Sequence, residues 1–181
     1  MKLKFQFIFQ CAPLLKGLKV SCGFQIDASM YGALAEILQG TGIIFRKLVE
    51  KDGKCMVLFY REKELWEYLN RVGIRSFLRD YGYEGMNLDL MLLRLAMRME
   101  EAAGKQAGFP HEIGVFLGYP IEDVKGFIGN AGKKYLLSGY WKVYSDPVRA
   151  QIMFHQFDEA KNSAVNEFLS GMDIRQIAER I

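Results

Sequence analysis

Histidine and cysteine are the side chains best suited to moving protons or making covalent bonds near neutral pH, and this chain of 181 residues carries two histidines and three cysteines. His111 and Glu112 stand together in Phe109-Pro110-His111-Glu112, where proline suits a first helical turn and a carboxylate suits the positive end of the dipole. Free N–H groups at such a helix start attract anions and disfavour a protonated imidazole, so His111 is placed to act as a neutral base or donor. Cys11 lies in a basic segment where Lys16 could lower its pKa, the condition for a reactive thiol. His111, Glu112 and Cys11 are therefore the candidate catalytic residues. His155, one position off the apolar stripe of a long helical pattern, suits a half-buried structural role.

Aromatic residues gather in the same region. Tyr140, Trp141 and Tyr144, with Phe109 and Tyr119 nearby in sequence, would put ring faces on both sides of a strand. Alternation places Tyr140 and Tyr144 on one face and Trp141 on the other. Half of them must serve ordinary packing, and the rest can line a cleft for a flat ligand. Lys142 would meet an anionic group there. The ligand-binding candidates are thus Phe109, Tyr119, Tyr140, Trp141, Lys142 and Tyr144, and the expected partner is a small anionic or aromatic molecule. The sequence leaves any cofactor unknown: G-x-x-x-x-G-K-[ST], G-x-G-x-x-G and G-x-S-x-G are all missing, so neither a nucleotide-binding loop nor a hydrolase elbow is supported. No metal is expected either. The histidines are 44 positions apart with no cysteine beside them, and H-x-x-x-H does not occur.

A second class of function attaches to residues 110–129. Glu112-Ile113-Gly114-x-x-Leu117-Gly118, followed by Val124, has the spacing of a helix-turn-helix, a module for protein or nucleic-acid interaction. Its second helix would present Glu122 and Asp123 against the single Lys125, the wrong sign for phosphates, so duplex reading is not expected.

The elements that must position these residues can be read from pattern. Residues 29–39 suggest a helix stopped by Gly40 and Gly42. The runs 43–49 and 55–60 flank Lys51-Asp52-Gly53-Lys54, a hairpin signature, and the second run is apolar on both faces, as an interior strand requires. Helical spacing recurs over 62–72 and 74–81, with residues 82–86 the best loop. Asn87 to Ala103 predicts a central core helix with a polar stripe of Arg94, Arg98 and Glu101. Two short helices should meet at a packed corner within 110–130, the second closed by Gly129-Asn130. Residues 135–144 read as a strand with Gly139 as a bulge or a close approach. Asp146-Pro147 starts a long helix, and a last turn or two runs through Ile174, Ile177 and Ile181. The fold class is α+β: a small, mainly antiparallel sheet, made of the hairpin 43–60 and the strand 135–144, packed against helices.

Length predicts one domain over residues 1–181, with 147–181 as a C-terminal helical extension. A hydrophobic fraction of 50% with 25% charged residues excludes a disordered chain or a fibre, and a formal charge of +3 demands no anionic partner. Residues 1–26 carry Lys2, Lys4, Lys16 and Lys19 and no acid before Asp27, a solvated basic edge. The apolar run behind Met1 is interrupted by Gln6, Gln10 and Pro13, so neither a secretory leader nor a membrane span is expected. Three cysteines without C-x-x-C spacing suit reduced thiols in the cytoplasm.

Phe109 to Ile128, Gly139-Tyr140-Trp141-Lys142-Val143-Tyr144, and Cys11-Ala12-Pro13-Leu14-Leu15-Lys16-Gly17-Leu18-Lys19 together resemble a bacterial family of unknown function, DUF3793. The likeness spans most of residues 9–155. It implies a small soluble protein of mainly anaerobic bacteria and carries over no activity. Gln10 stands where the resemblance leads one to expect histidine, so no His-Cys pair is carried over.

Overall fold

The computed structural model describes residues 2–178, so the expectation for Ile181 lies outside the described residues, as does Met1. Helix α1 (Lys2–Leu15) leads into strand β1 (Ser21–Asp27), a 3-10 turn (Ala28–Ala33) and α2 (Leu34–Ile37). The hairpin β2 (Ile44–Lys51) and β3 (Lys54–Tyr60) follows, then α3 (Glu62–Leu69), α4 (Val72–Arg79) and α5 (Leu88–Ala103). Short α6 (Ile113–Phe116) and α7 (Ile121–Gly129) precede β4 (Leu137–Ser138), β5 (Lys142–Val143), α8 (Pro147–Leu169) and α9 (Ile174–Ala178).

The main sheet is antiparallel with β3 at its centre, in the order β1-β3-β2. Alternation along β3 divides the interior. Cys55, Val57 and Phe59 point into a core built with α1, β1 and α9, whereas Leu58 and Tyr60 point into a second core built with α3 to α7. The expected interior strand is therefore β3. Asp52 and Gly53 both take positive φ, 50° and 72°, the geometry of the two-residue turn that matches strand twist.

Strand β1 falls within what the sequence suggested was a solvated basic edge. Cys22, Phe24 and Ile26 are buried on alternate positions, and α1 covers them with Phe7, Cys11 and Leu14. The basic cluster disperses with it. Lys16 pairs with Glu167 of α8 at 2.8 Å, and Lys19 lies over the rings of Tyr119 and Phe157.

Helix α5 is amphipathic and not a central helix. Leu88, Met91, Leu92, Leu95 and Met99 are buried while Leu90, Leu93 and Met97 face outward, because only one of its sides meets the sheet. Helix α8 starts as expected, with the Asp146 carboxylate accepting from Arg149 N at 2.9 Å. It buries Phe157, Ala160 and Ala164, of which Ala164 joins the core of α1, and His155 on its outer side is exposed beside Glu159. Among the described residues no helix is long and apolar enough to cross a membrane.

Candidate functional site

The segment 135–144 supplies one wall of the candidate site, and it is a reversal, not one strand. Leu137 and Ser138 pair with Val143 and Lys142 in a separate two-stranded sheet, so the chain turns back through Gly139, Tyr140 and Trp141. Simple alternation therefore fails. The expected close approach at Gly139 does hold, since the Phe154 ring of α8 occupies the place of a Cβ. Tyr140 rests against Phe154 and Phe157, with ring centroids 5.5 and 5.1 Å away, and its hydroxyl donates to Asp158 at 2.8 Å. Trp141 stacks on Tyr119 at 5.4 Å and meets Phe154 edge-on at 4.6 Å.

Asp123 fixes this wall. It is 3% exposed, and its carboxylate accepts from Trp141 Nε1 at 2.7 Å, Tyr144 N at 2.8 Å, Ser145 N at 2.9 Å and Ser145 Oγ at 2.8 Å. The sequence read Asp123, with Glu122, as a carboxylate of the wrong sign to meet phosphates. The fold turns it inward as the staple between α7 and the returning chain.

The opposite wall comes from the corner of α6 and α7. His111 lies between Phe109 and Phe127, 5.3 and 5.1 Å from their ring centroids. It does not open a helix with free N–H groups: Ile113 N, Gly114 N and Val115 N already donate to the carbonyls of Pro110, His111 and Glu112. The expected anion cradle is thus consumed by a tight turn, and α6 is only four residues long. Helix α7 ends at Gly129 with Asn130 as its cap, as expected, while the left-handed conformation falls on the next two residues, Ala131 and Gly132.

Between the walls is a cleft of about 240 Å³ lined by His111, Tyr119, Phe127, Tyr140, Trp141 and Lys142, with Gly114, Asp123 and Val124 beneath. Lys142 Nζ donates to Gly132 O at 2.8 Å and lies 5.7 Å from the Phe127 centroid. Five of the nine sequence-derived site residues meet here. Phe109 is exposed behind His111, and Tyr144 lies over Gly126, its buried hydroxyl without a partner among the described residues. Glu112 turns away. At 1% exposure it accepts from Arg98 Nε at 2.5 Å and from the Tyr83 hydroxyl at 3.2 Å, which makes it a structural anion.

Cys11 is also elsewhere, fully buried between α1 and β1, and burial pushes its thiol up, not down. Lys16, expected to activate it, is engaged by Glu167. Residues that sequence reasoning missed are Phe127 as a lining ring and Asp123 as the clamp. The i, i+4 spacing of Asp123 and Phe127 was visible, but only the returning chain gives it meaning. Among the described residues, no group of three or more His, Cys, Asp and Glu side chains could hold a metal ion.

Burial holds two phenols of this region neutral, Tyr68 and Tyr119, each pushed up to about 12. The Tyr68 hydroxyl donates to Tyr119 O at 2.7 Å. The unfolded chain releases these protons near pH 10 while the folded chain keeps them. Stability is therefore fully present below about pH 10 and should fall as pH rises from there towards about 12. Urea midpoints measured across that window, alongside tyrosinate absorbance, check this. A midpoint that stays level while the exposed phenols titrate would contradict it.

These features define a class: an α+β protein whose antiparallel sheet lies between helical layers and whose second, small hairpin walls an aromatic cleft. More narrowly, the chain belongs to the family described as "Protein of unknown function (DUF3793)", whose model matches residues 7–178. The match takes in α8 and α9, well past residue 155 where the likeness read from sequence stopped. No curated protein and no solved structure matches the chain.

Proposed function

We propose that the protein binds a small planar ligand carrying an anionic group in the cleft between His111 and the Tyr140–Lys142 reversal, in the cytoplasm of a bacterium. The supporting observation is convergence: six side chains from separate segments line one concavity of about 240 Å³. That volume is below the ~300 Å³ of a small drug site and suits one or two fused rings. Tyr119, Phe127 and Trp141 offer ring surface, and Lys142 offers charge with two ammonium hydrogens left after its bond to Gly132. Each contribution is roughly 0.5–2 kcal/mol, which fits micromolar binding and not a permanently held cofactor. With Glu112 and Cys11 turned elsewhere, His111 is the one side chain of the catalytic candidates left at the cleft. Three cysteines without a disulfide fit a reducing compartment.

The alternative, residues 110–129 as a helix-turn-helix-like interaction module, has less support. Glu122 and Lys125 on the outer side of α7 pair with each other at 3.6 Å, and Asp123 on the inner side is spent on the hairpin.

The test uses the emission of Trp141 in a Trp66→Phe variant, since the chain has two tryptophans. Aromatic carboxylates should quench it saturably at micromolar concentrations. His111→Ala and Lys142→Met should each weaken that binding about 3- to 10-fold with little change in unfolding temperature. Quenching without saturation, or equal affinity in both variants, would sink the proposal.

A further inference from the structure

The thiols left outside the cleft form a second arrangement. Cys22 is on the edge strand β1, 8% exposed, and its S–H donates to Gln10 O at 3.1 Å. The next residue of α1 is Cys11, and the two thiols are near enough to shift each other's titration. Lys19, half-buried in the loop joining α1 to β1, interacts with both thiols. Its Nζ is 5.0 Å from the Tyr119 centroid and 6.0 Å from that of Phe157, and among the described residues it has no carboxylate partner. An ammonium at this half-buried position favours the charged form of an acid beside it. Deprotonation of a neighbouring thiol would supply that charge. Cys55 is on the central strand, with Glu50 and Lys47 as its charged neighbours, outside this group.

We propose that Cys11 and Cys22 are a redox-active dithiol in which Cys22 is oxidised by small peroxides, Cys11 resolves it to an internal disulfide, and Lys19 is a positioning residue. The Cys22 thiolate attacks one peroxide oxygen; the S–O bond forms, the O–O bond breaks, and the departing hydroxide takes a proton to become water. The Cys11 sulfur then attacks the sulfenic sulfur, forming the S–S bond and releasing the second oxygen as water. Two thiols and one hydrogen peroxide thus give one disulfide and two waters, the sulfurs losing the two electrons the peroxide gains. An oxidant of this size suits a sulfur with so little exposure.

The electrostatics agree with that division of labour. Cys11 beside it holds the Cys22 thiol below its ordinary value, Lys19 acts in the same direction, and burial opposes them. Burial raises Cys11 well above its ordinary value, as suits the second sulfur to react. Besides these groups, Tyr119 is the titratable side chain facing Cys22.

Freshly reduced full-length protein treated with hydrogen peroxide tests this by maleimide counting, intact mass and non-reducing peptide mapping. Labelled thiols should fall from three to one, with a mass loss of two hydrogens and a peptide bridge from Cys11 to Cys22. Added oxygen without hydrogen loss, a bridge through Cys55, or three surviving thiols would each overturn the proposal. Cys11→Ser should accumulate a sulfenic acid at Cys22 that dimedone traps, and its absence there would assign the attack wrongly. Lys19→Met should slow oxidation about tenfold at neutral pH and move the rate profile to higher pH, with Lys19→Arg keeping most of the rate. Identical profiles for Lys19→Met and the parent would remove Lys19 from the mechanism. Should a serine variant not fold, the parent peptide map and the lysine variants still decide.

Discussion

Replacing Asp123 with alanine should destabilise the protein by about 3–5 kcal/mol, a large share of the ~5–15 kcal/mol of a typical domain. The carboxylate takes four hydrogen bonds in an environment that leaves it 3% exposed, and its partners are two backbone amides, a serine hydroxyl and an indole N–H. Truncation strands those donors, and an unpaired buried donor costs roughly 1–3 kcal/mol. The losses are not additive, because the reversal through Trp141 can relax once its staple is gone. Asp123→Asn keeps one acceptor but sets an amide NH2 against at least one of the same donors, so it should fall between the parent and alanine. Urea denaturation gives the comparison, with an unchanged slope marking a loss of stability and not of compactness. A cost below about 1 kcal/mol for alanine would mean that water replaces the carboxylate and that the wall of the cleft is held by ring packing alone. Because Asp123 also orients Trp141, its variants would lose ligand for structural reasons, whereas His111 and Lys142 test the cleft directly.

How much of this was legible follows from which forces are local. The hairpin was readable because Asp52-Gly53 meets a backbone requirement that neighbouring residues alone decide, and β3 was readable because apolar side chains on both faces need cover on both. The starts of α5 and α8 carried their own caps, Asn87 and Asp146. Strand β1 had a signal too, in the alternation of Cys22, Phe24 and Ile26, but Gly23 and the preceding basic run masked it. Gly23 is there because Leu117 comes within 2.9 Å of where its Cβ would be, a contact no local pattern announces. The reversal at Gly139 to Trp141 was unreadable for the same reason, since α8 approaching with Phe154 and Phe157 bends the segment into a hairpin. The ring-lined cleft was anticipated by composition near one stretch of chain. The roles of the two carboxylates were not, because a helix-start Glu or Asp looks the same whether it faces water or buried donors from a distant part of the chain.

Glu112 shows what that difference amounts to. Its carboxylate joins the start of α6 to Arg98 on α5 and to Tyr83 in the loop before it, and burial with the Glu112 charge holds the Tyr83 phenol far above its ordinary value. Glu112→Ala should cost about 2–4 kcal/mol, since Tyr83 loses its acceptor in the interior while Arg98, one-third exposed, recovers part of its solvation. Arg98→Met should cost a comparable amount for the opposite reason: it leaves a carboxylate at 1% exposure with a phenol as its remaining partner. The double variant Glu112→Ala with Arg98→Met removes both charges together. It should therefore be more stable than the sum of the single losses predicts, by at least about 1.5 kcal/mol. Additive losses from the double-mutant cycle would show that the ion pair contributes through packing and not through charge. If Glu112 instead served chemistry at the cleft, Glu112→Ala would weaken function while leaving the urea midpoint in place, and the geometry predicts the reverse: a lowered midpoint, with ligand binding by the surviving folded protein unchanged.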